Sequence, residues 1–456
     1  MITPGSLVEA AGMVERREIS PVDLTLACLA RIDERNDELR AFISVMREQA
    51  LEAARHAADD IARGHYKGPL HGIPVSVKDL VDVAGVPTTS GSNVPPRHPV
   101  HDAPLVANLR RAGAVIIGKT NLHEFAFGTT SDETAFGAVR NPLDTSRSAG
   151  GSSGGAAVAI VTGMCFGSVG TDTGGSIRIP SAACGITGLK PTHGEISCED
   201  VVPLSETLDH AGPLARNVAD AALLFAAMKS GTAGSSNLPR ASEGPLSLGV
   251  LGGYFLDKLD DDVRHLFDRA RSALERRYRV RDVEIPHAER IPDVYLHIVL
   301  PEASWYHAPL LEKHAASYSP GVRLRLEMGH YVLAEDYVRA LHGRVALRRA
   351  VDRALEGLDA LLLPAMPIAA PPLGASTVAV QGSKEPVRGI MLRLTQPFNV
   401  TGHPAIVMPC GEGRDGLPRA IQLVGHRGCT ERLLEAAAAV ERQITGGDGS
   451  VGGGVG

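Results

Sequence analysis

Residues 150–185 read GGSSGGAAVAIVTGMCFGSVGTDTGGSIRIPSAACG, and the reading of this stretch decides the fold. It holds two glycine-serine clusters: Ser152 and Ser153 between glycine pairs, and Ser176 directly after Gly174 and Gly175. An apolar segment, AAVAIVTGMC, separates the clusters, and Ile177, Ile179 and Pro180 follow the second, so a flexible linker does not fit. A phosphate loop of the GxxxxGKS form does not fit either, since no lysine follows the glycines. Acyl transfer does. Glycine lacks a side chain, so backbone N–H groups beside it can crowd a carbonyl oxygen and stabilise an oxyanion. Thr173, Gly174 and Gly175 are candidate donors of this kind, with Ser176 as the nucleophile. The run Ala156 to Val169 is broken by Thr162, Gly163, Gly167 and Ser168 and falls short of the ~20 apolar residues of a membrane span. It reads as a buried helix with a small-residue face.

A serine nucleophile needs a base. His71, His123, His193 and His210 lie in separate apolar or turn contexts and read as ordinary hydrogen-bonding residues. HExxH does not occur, and the GxSxG spacing inside GGSSGG is not read as a nucleophile elbow, which argues against a metalloprotease and an α/β-hydrolase. Lysine remains. Lys78 sits in VSVKDL between Val75, Val77 and Leu80, where a charged side chain is expensive to bury and a neutral one less so. On the residues alone, a base and a surface-strand lysine are both open readings of Lys78.

Outward from these motifs the chain alternates strands with helices, which implies a layered α/β sheet. Ser20-Pro21 opens a helix whose apolar positions Val22, Leu26, Leu29 and Ile32 recur at helical spacing. A second helix covers about Arg47 to Ala62. LGVLGGYF reads as strand and turn, and the next helix carries Val263, Leu266, Phe267, Ala270 and Leu274 on one face. Residues 290–357 read as mostly helical, strand-like runs return in ALLLPAMP and HPAIVMPC, and a last helix follows Thr430. We divide the chain into N-terminal helices (1–65), a core with the candidate catalytic residues (66–228), a loop and mostly helical substrate-side region (229–357) and a C-terminal part of the α/β core (358–445). The tail 446–456 carries seven glycines in eleven residues and reads as disordered.

Composition narrows the function classes. Glycine, 50 of 456 residues, exceeds the usual ~7%, yet it follows no three-residue period, so the chain is not collagen-like. With 44% hydrophobic residues against 21% charged, the chain can bury a large core. Its net charge of −6 argues against nucleic acid or an anionic membrane as the main partner. Six scattered cysteines without a CxxC pair imply neither a disulfide framework nor a zinc site. The first twenty residues do not read as a signal peptide, and the expected location is cytoplasmic.

The run GGSSGG, the 24-residue step from Ser152 to Ser176 inside GTDTGGSIRIP, and a lysine in VKD 74 residues before Ser152 resemble the amidase signature family. The likeness extends over most of the chain, through HGIPVSVKD, NLHEFAFG, AFGAVRNP, LDHAGPLARNVADAA and QPFNVTGHPAIVMPCG. It implies a single-domain α/β/α fold, a mixed sheet covered on both faces by helices. Ser176 matches the family nucleophile. Ser152 matches its bridging serine, which follows a cis peptide bond, and Lys78 matches its base, acting as a neutral amine. The relay implied runs from Ser176 through Ser152 to Lys78, without metal or cofactor, on a small amide and water. Ser153 is expected to hydrogen-bond within the glycine loop. Asp172 and Arg178 are expected to pair and hold the nucleophile's turn, and Gly128, Thr129 and Thr130 to line the substrate site. Relatives commonly form homodimers, so the resemblance allows one here.

Two branches of the family compete: a stand-alone amidase, and the glutaminase subunit of a tRNA-dependent amidotransferase. Arg325, four residues before Gly329, resembles the arginine that holds the glutamine carboxylate in such subunits. The aspartate that binds the amine three residues before the threonine of TQPFN is replaced by Leu392, and Glu133 stands where those subunits carry asparagine. An ammonium left unpaired in a buried site is costly, so glutamine is disfavoured and a less polar substrate expected. The shape around Met391, Leu392 and the helical segment near Trp305 is expected to select among amides, anilides, carbamates (urethanes) and urea derivatives such as allophanate.

Overall fold

Pro74–Lys78 is a five-residue run with every side chain buried, as a strand covered on both faces must be. It lies near one end of an eleven-stranded mixed sheet in the computed structural model, which describes residues 4–234, 237–239 and 244–445. In chain order the strands are β1 (Phe42–Val45), β2 (Pro74–Lys78), β3 (Val115–Thr120), β4 (Arg140–Asn141), β5 (Asp144–Ser148), β6 (Gly167–Thr171), β7 (Thr187–Lys190), β8 (Ala211–Ala215), β9 (Ser247–Leu251), β10 (Arg279–Val283), β11 (Ala360–Pro364), β12 (Thr377–Val380), β13 (Ser383–Pro386), β14 (Ala405–Glu412) and β15 (Pro418–Val424). β4 with β5, and β12 with β13, form separate two-stranded pairs; the others order as β1-β3-β2-β6-β8-β7-β14-β15-β11-β9-β10.

The strands β3-β2-β6 and β11-β9-β10 are parallel, whereas the edge pair β1-β3 and the middle of the sheet are antiparallel. The parallel registers Lys78↔Thr120 and Val77↔Val169 place Lys78 and Thr171 at the same, C-terminal edge of neighbouring strands. That edge is where an open α/β sheet presents its ligand crevice.

Helices form where the sequence patterns require them. Ser20 caps Pro21–Leu39, its hydroxyl accepting the N–H of Val22, and the second helix runs Arg47–Ala62. Val263, Leu266, Phe267, Ala270 and Leu274 are all buried on one helix, Asp261–Glu275. The run from Ala156 to Val169 is not one helix. Gly154–Val161 is helical, the chain turns at Gly163, and Gly167–Thr171 becomes β6, because glycines in the left-handed and extended regions end the helical repeat. The N-terminal segment adds an edge strand, β1, to its helices, and the substrate-side segment contributes β9 and β10 at the opposite edge. The tail 446–456 lies outside the described residues. Among the described residues no helix is long and apolar enough to cross a membrane.

Candidate active site

Both glycine-serine clusters stand at the sheet edge that carries Lys78. β6 ends at Thr171, the chain passes through Asp172 to Ser176, and a short helix, Arg178–Cys184, begins two residues later. The other cluster precedes the helix Gly154–Val161, with a cis peptide bond between Gly151 and Ser152. The two loops touch: the N–H of Ser153 donates to the carbonyl of Ser176 at 3.1 Å. The Ser152 carbonyl accepts the His123 N–H at 3.1 Å and the Ser131 hydroxyl at 3.2 Å, which fixes the loop from a third side.

Lys78 is wholly buried, so it is not a surface-strand lysine. Its Nζ lies 2.7 Å from Ser152 Oγ and 2.8 Å from Thr171 Oγ1, with no carboxylate within ion-pair distance. Burial pushes its pKa down to about 7, against the opposing pull of Asp172 and Asp209. Its neighbour Lys119 is treated differently, being paired with Asp79 at 2.9 Å. Ser176 is 5% exposed and its Oγ makes no hydrogen bond to the described residues, unlike the Oγ of Ser152.

The turn before Ser176 is braced from below. Asp172 and Arg178 are both fully buried and pair at 2.9 and 3.0 Å. Asp172 Oδ2 also accepts the N–H of Ile177, and Asn399 Nδ2 donates to Asp172 Oδ1 at 2.8 Å. Arg178 reaches the Thr395 carbonyl, Gln422 Oε1 and Asn399 Oδ1 at 2.6–2.8 Å. Burial alone would raise the Asp172 pKa, but the Arg178 cation holds it well below the usual carboxylate range. With its side chain turned down into this network, the loop leaves the backbone N–H groups of Thr173, Gly174, Gly175 and Ser176 without partners among the described residues.

Two glycines there have no substitute. A Cβ on Gly174 would stand 2.6 Å from Tyr295 Oη and 2.9 Å from Leu392 Cδ2. Gly175 has φ +147°, and a Cβ on it would overlap Thr395 Oγ1, whose hydroxyl donates to the Gly174 carbonyl at 2.7 Å.

The chain's relatives share this frame. A family model described as Amidase matches residues 23–434. An amidase from Pseudomonas putida is 38% identical, the match covering 97% of each chain. The chain belongs to the amidase signature family. Its likeness to a crystal structure of an amidase has a TM-score of 0.90 at 38% identity, covering 96% of this chain and 100% of the other. A glutamyl-tRNA(Gln) amidotransferase subunit from Chloroflexus aggregans is 35% identical over 93% of each chain. As an amidase signature hydrolase, the protein acts on amides.

Of the residues singled out in the sequence, Lys78, Ser152, Ser153, Asp172, Thr173, Gly174, Gly175, Ser176, Arg178 and Leu392 converge at one place. Gly128 to Thr130 lies alongside: a Cβ on Gly151 would be 2.7 Å from Thr130 N. Ser153 Oγ donates across to the Thr171 carbonyl at 3.3 Å, to β6 and not within its own loop. Arg325 is engaged by Glu133 at 2.9 Å. His123, through its ring at 3.2 Å, and Arg325 together lower the Glu133 pKa to about 2 against the effect of burial.

Trp305 does not shape this site. It is 70% exposed and borders a separate cavity of about 380 Å³ with Leu204, Glu302, Tyr306 and Tyr337. The same helix, Ile291–His314, instead sends in Tyr295, ten residues or nearly three turns earlier. Tyr295 and Thr171 are the residues that sequence reasoning missed. Thr171 was legible, since it lies inside GTDTGGS; Tyr295 carries no local signal at all.

Arg178→Met should lower the unfolding free energy by about 3–5 kcal/mol, because it leaves Asp172 buried and unpaired. Urea denaturation measures this. A loss under about 1 kcal/mol would mean that something else holds the turn that carries Ser176.

Proposed function

We propose that this chain is a stand-alone amidase that cleaves the C–N bond of a small aliphatic or aryl amide through a serine acyl-enzyme. The observation that carries the reading is the buried Lys78 amine, 2.7 Å from Ser152 Oγ with its pKa brought to about 7. Neutral Lys78 donates to Thr171 and accepts the Ser152 O–H proton; Ser152 in turn takes the proton of Ser176 as Ser176 Oγ bonds to the carbonyl carbon. The carbonyl oxygen becomes an oxyanion facing the free N–H groups of Thr173, Gly174, Gly175 and Ser176. When the tetrahedral intermediate collapses, the C–N bond breaks and the proton returns through Ser152 to the leaving nitrogen. Water then attacks the acyl-enzyme, passing a proton back along the same path, and releases the carboxylic acid and Ser176.

Ser153, Asp172 and Arg178 position the two loops in this scheme, and Gly128, Thr129, Thr130 and Leu392 line the substrate space. Two observations set the reading above the amidotransferase one. Leu392 offers no charge to an ammonium, and Arg325 already has Glu133 as counter-ion. Esters and carbamates are side substrates, because the relay serves any acyl carbon with a better leaving group.

Ser176→Ala should abolish both turnover and labelling by a fluorophosphonate; labelling that persists there refutes the nucleophile. Because only neutral Lys78 can accept a proton, kcat/KM should climb nearly tenfold per pH unit below about 7 and level off above it. A profile flat from pH 5 to 9 excludes Lys78 as the base, and Lys78→Ala should cost on the order of 10²–10⁴ in kcat/KM. In a panel of p-nitroacetanilide, an aryl carbamate and glutamine, the first two should be hydrolysed by the chain alone. Glutaminase activity appearing only with a partner subunit would select the amidotransferase branch.

A further inference from the structure

One arginine near this site has no anion within ion-pair distance among the described residues. Arg388 lies on the short helix Val387–Leu392, four residues before Leu392 and so on the same face. Leu392 touches Gly174 of the nucleophile loop, which puts Arg388 one helical turn from the peptide that faces the scissile carbonyl in the proposed mechanism. Its guanidinium lies 5.4 Å from the centroid of the Phe127 ring. Phe127 directly precedes Gly128, Thr129 and Thr130, the segment that packs against Gly151.

The charges do not balance there. Arg325 approaches the same ring, at 5.5 Å, so two guanidinium groups converge on one phenylalanine. Among the described residues the one carboxylate within ion-pair distance of either guanidinium is Glu133, and it is committed to Arg325 and His123. Arg388 has no ion-pair or hydrogen-bond partner among the described residues, and its Nε is shut off from solvent. Tyr295, whose hydroxyl stands beside Gly174, likewise makes no hydrogen bond among the described residues. A half-buried guanidinium beside a second cation, with a phenol at hand and no counter-ion, is a site that a carboxylate completes, since its fork of donors matches two carboxylate oxygens.

We propose that Arg388 is a specificity-determining residue that receives a carboxylate carried by the substrate, so that anionic amides with a short apolar stretch between carboxylate and amide are turned over in preference to neutral ones. Leu392 flanks that apolar stretch, Phe127 backs the guanidinium, and Tyr295 adds a donor. This rests on the hydrolase reading above for its location, but the affinity for the anion can be measured without catalysis.

Binding to Ser176→Ala protein is measured by calorimetry for two matched pairs. Glutaramate against valeramide places the carboxylate on the acyl side; N-butyrylglycine against N-ethylbutyramide places it on the nitrogen side. At least one carboxylated member should bind ten times tighter or more than its neutral match, and which one does so assigns the side. Adding Arg388→Met should collapse that ratio to within twofold, while Arg388→Lys retains part of it. Arg388→Glu should invert the choice, favouring 5-aminovaleramide over glutaramate, an inversion that a misfolded protein cannot produce. Equal binding within both pairs, or a ratio that survives Arg388→Met, overturns the proposal. Wild-type protein that hydrolyses valeramide without preferring glutaramate or N-butyrylglycine also overturns it and leaves the Ser176 chemistry standing. Anion preference without any turnover instead removes the hydrolase reading and leaves the anion site.

Discussion

The buried pair of Asp172 and Arg178 is the constraint on which the site depends. Neither side chain has access to water, so every lone pair and every N–H must be met from within the protein. The partners come from far along the chain: Thr395, Asn399 and Gln422 all bond to this pair. Residues more than 200 positions apart are thereby locked to one turn, and that turn carries Ser176. A buried ion pair is weak evidence for stability by itself, but removing one partner is expensive, so the pair ties the geometry of the loop to the folding of the whole.

Lys78 obeys the opposite rule a few ångströms away. Asp79, Lys119, Asp172 and Arg178 are buried with counter-ions, whereas Lys78 is buried with two hydroxyls. Hydroxyls do not compensate a charge as carboxylates do, so the amine is driven toward its neutral form. Two lysines on adjacent parallel strands thus have different chemistry. Lys119 faces a carboxylate, and Lys78 faces hydroxyls alone. Perturbation of this kind, at a sheet edge facing two glycine loops, marks a functional site more sharply than either feature alone.

Much of this was legible in local sequence. The helices capped at Ser20 and followed from Arg47, and the apolar face from Val263 to Leu274, are set by periodicity and capping, which act within a few residues. The glycine-serine clusters announce themselves because only glycine tolerates the close approaches at Gly174 and Gly175. The continuous reading of Ala156 to Val169 as helix failed for a related reason: Gly163 and Gly167 permit a turn and a strand, and apolar content alone does not distinguish a buried strand from a buried helix. Substrate-side groups were harder. Tyr295, Trp305 and Arg388 sit in helical stretches with ordinary composition, and packing alone brings Tyr295 Oη beside Gly174, sets the Arg388 guanidinium over the Phe127 ring and leaves Trp305 exposed.

By itself the sequence determined the family and its motifs: a serine after paired glycines, a second serine, and a lysine in an apolar strand, within an α/β frame. These follow from short-range rules of side-chain size, backbone freedom and spacing. Tertiary structure alone decided what the chemistry is aimed at. Whether Lys78 is a base or a salt bridge depends on which groups face it from β6 and the Ser152 loop, and whether Arg325 or Arg388 is free depends on where Glu133 falls. Charge compensation is a property of neighbours in space, and no local pattern along the chain encodes it.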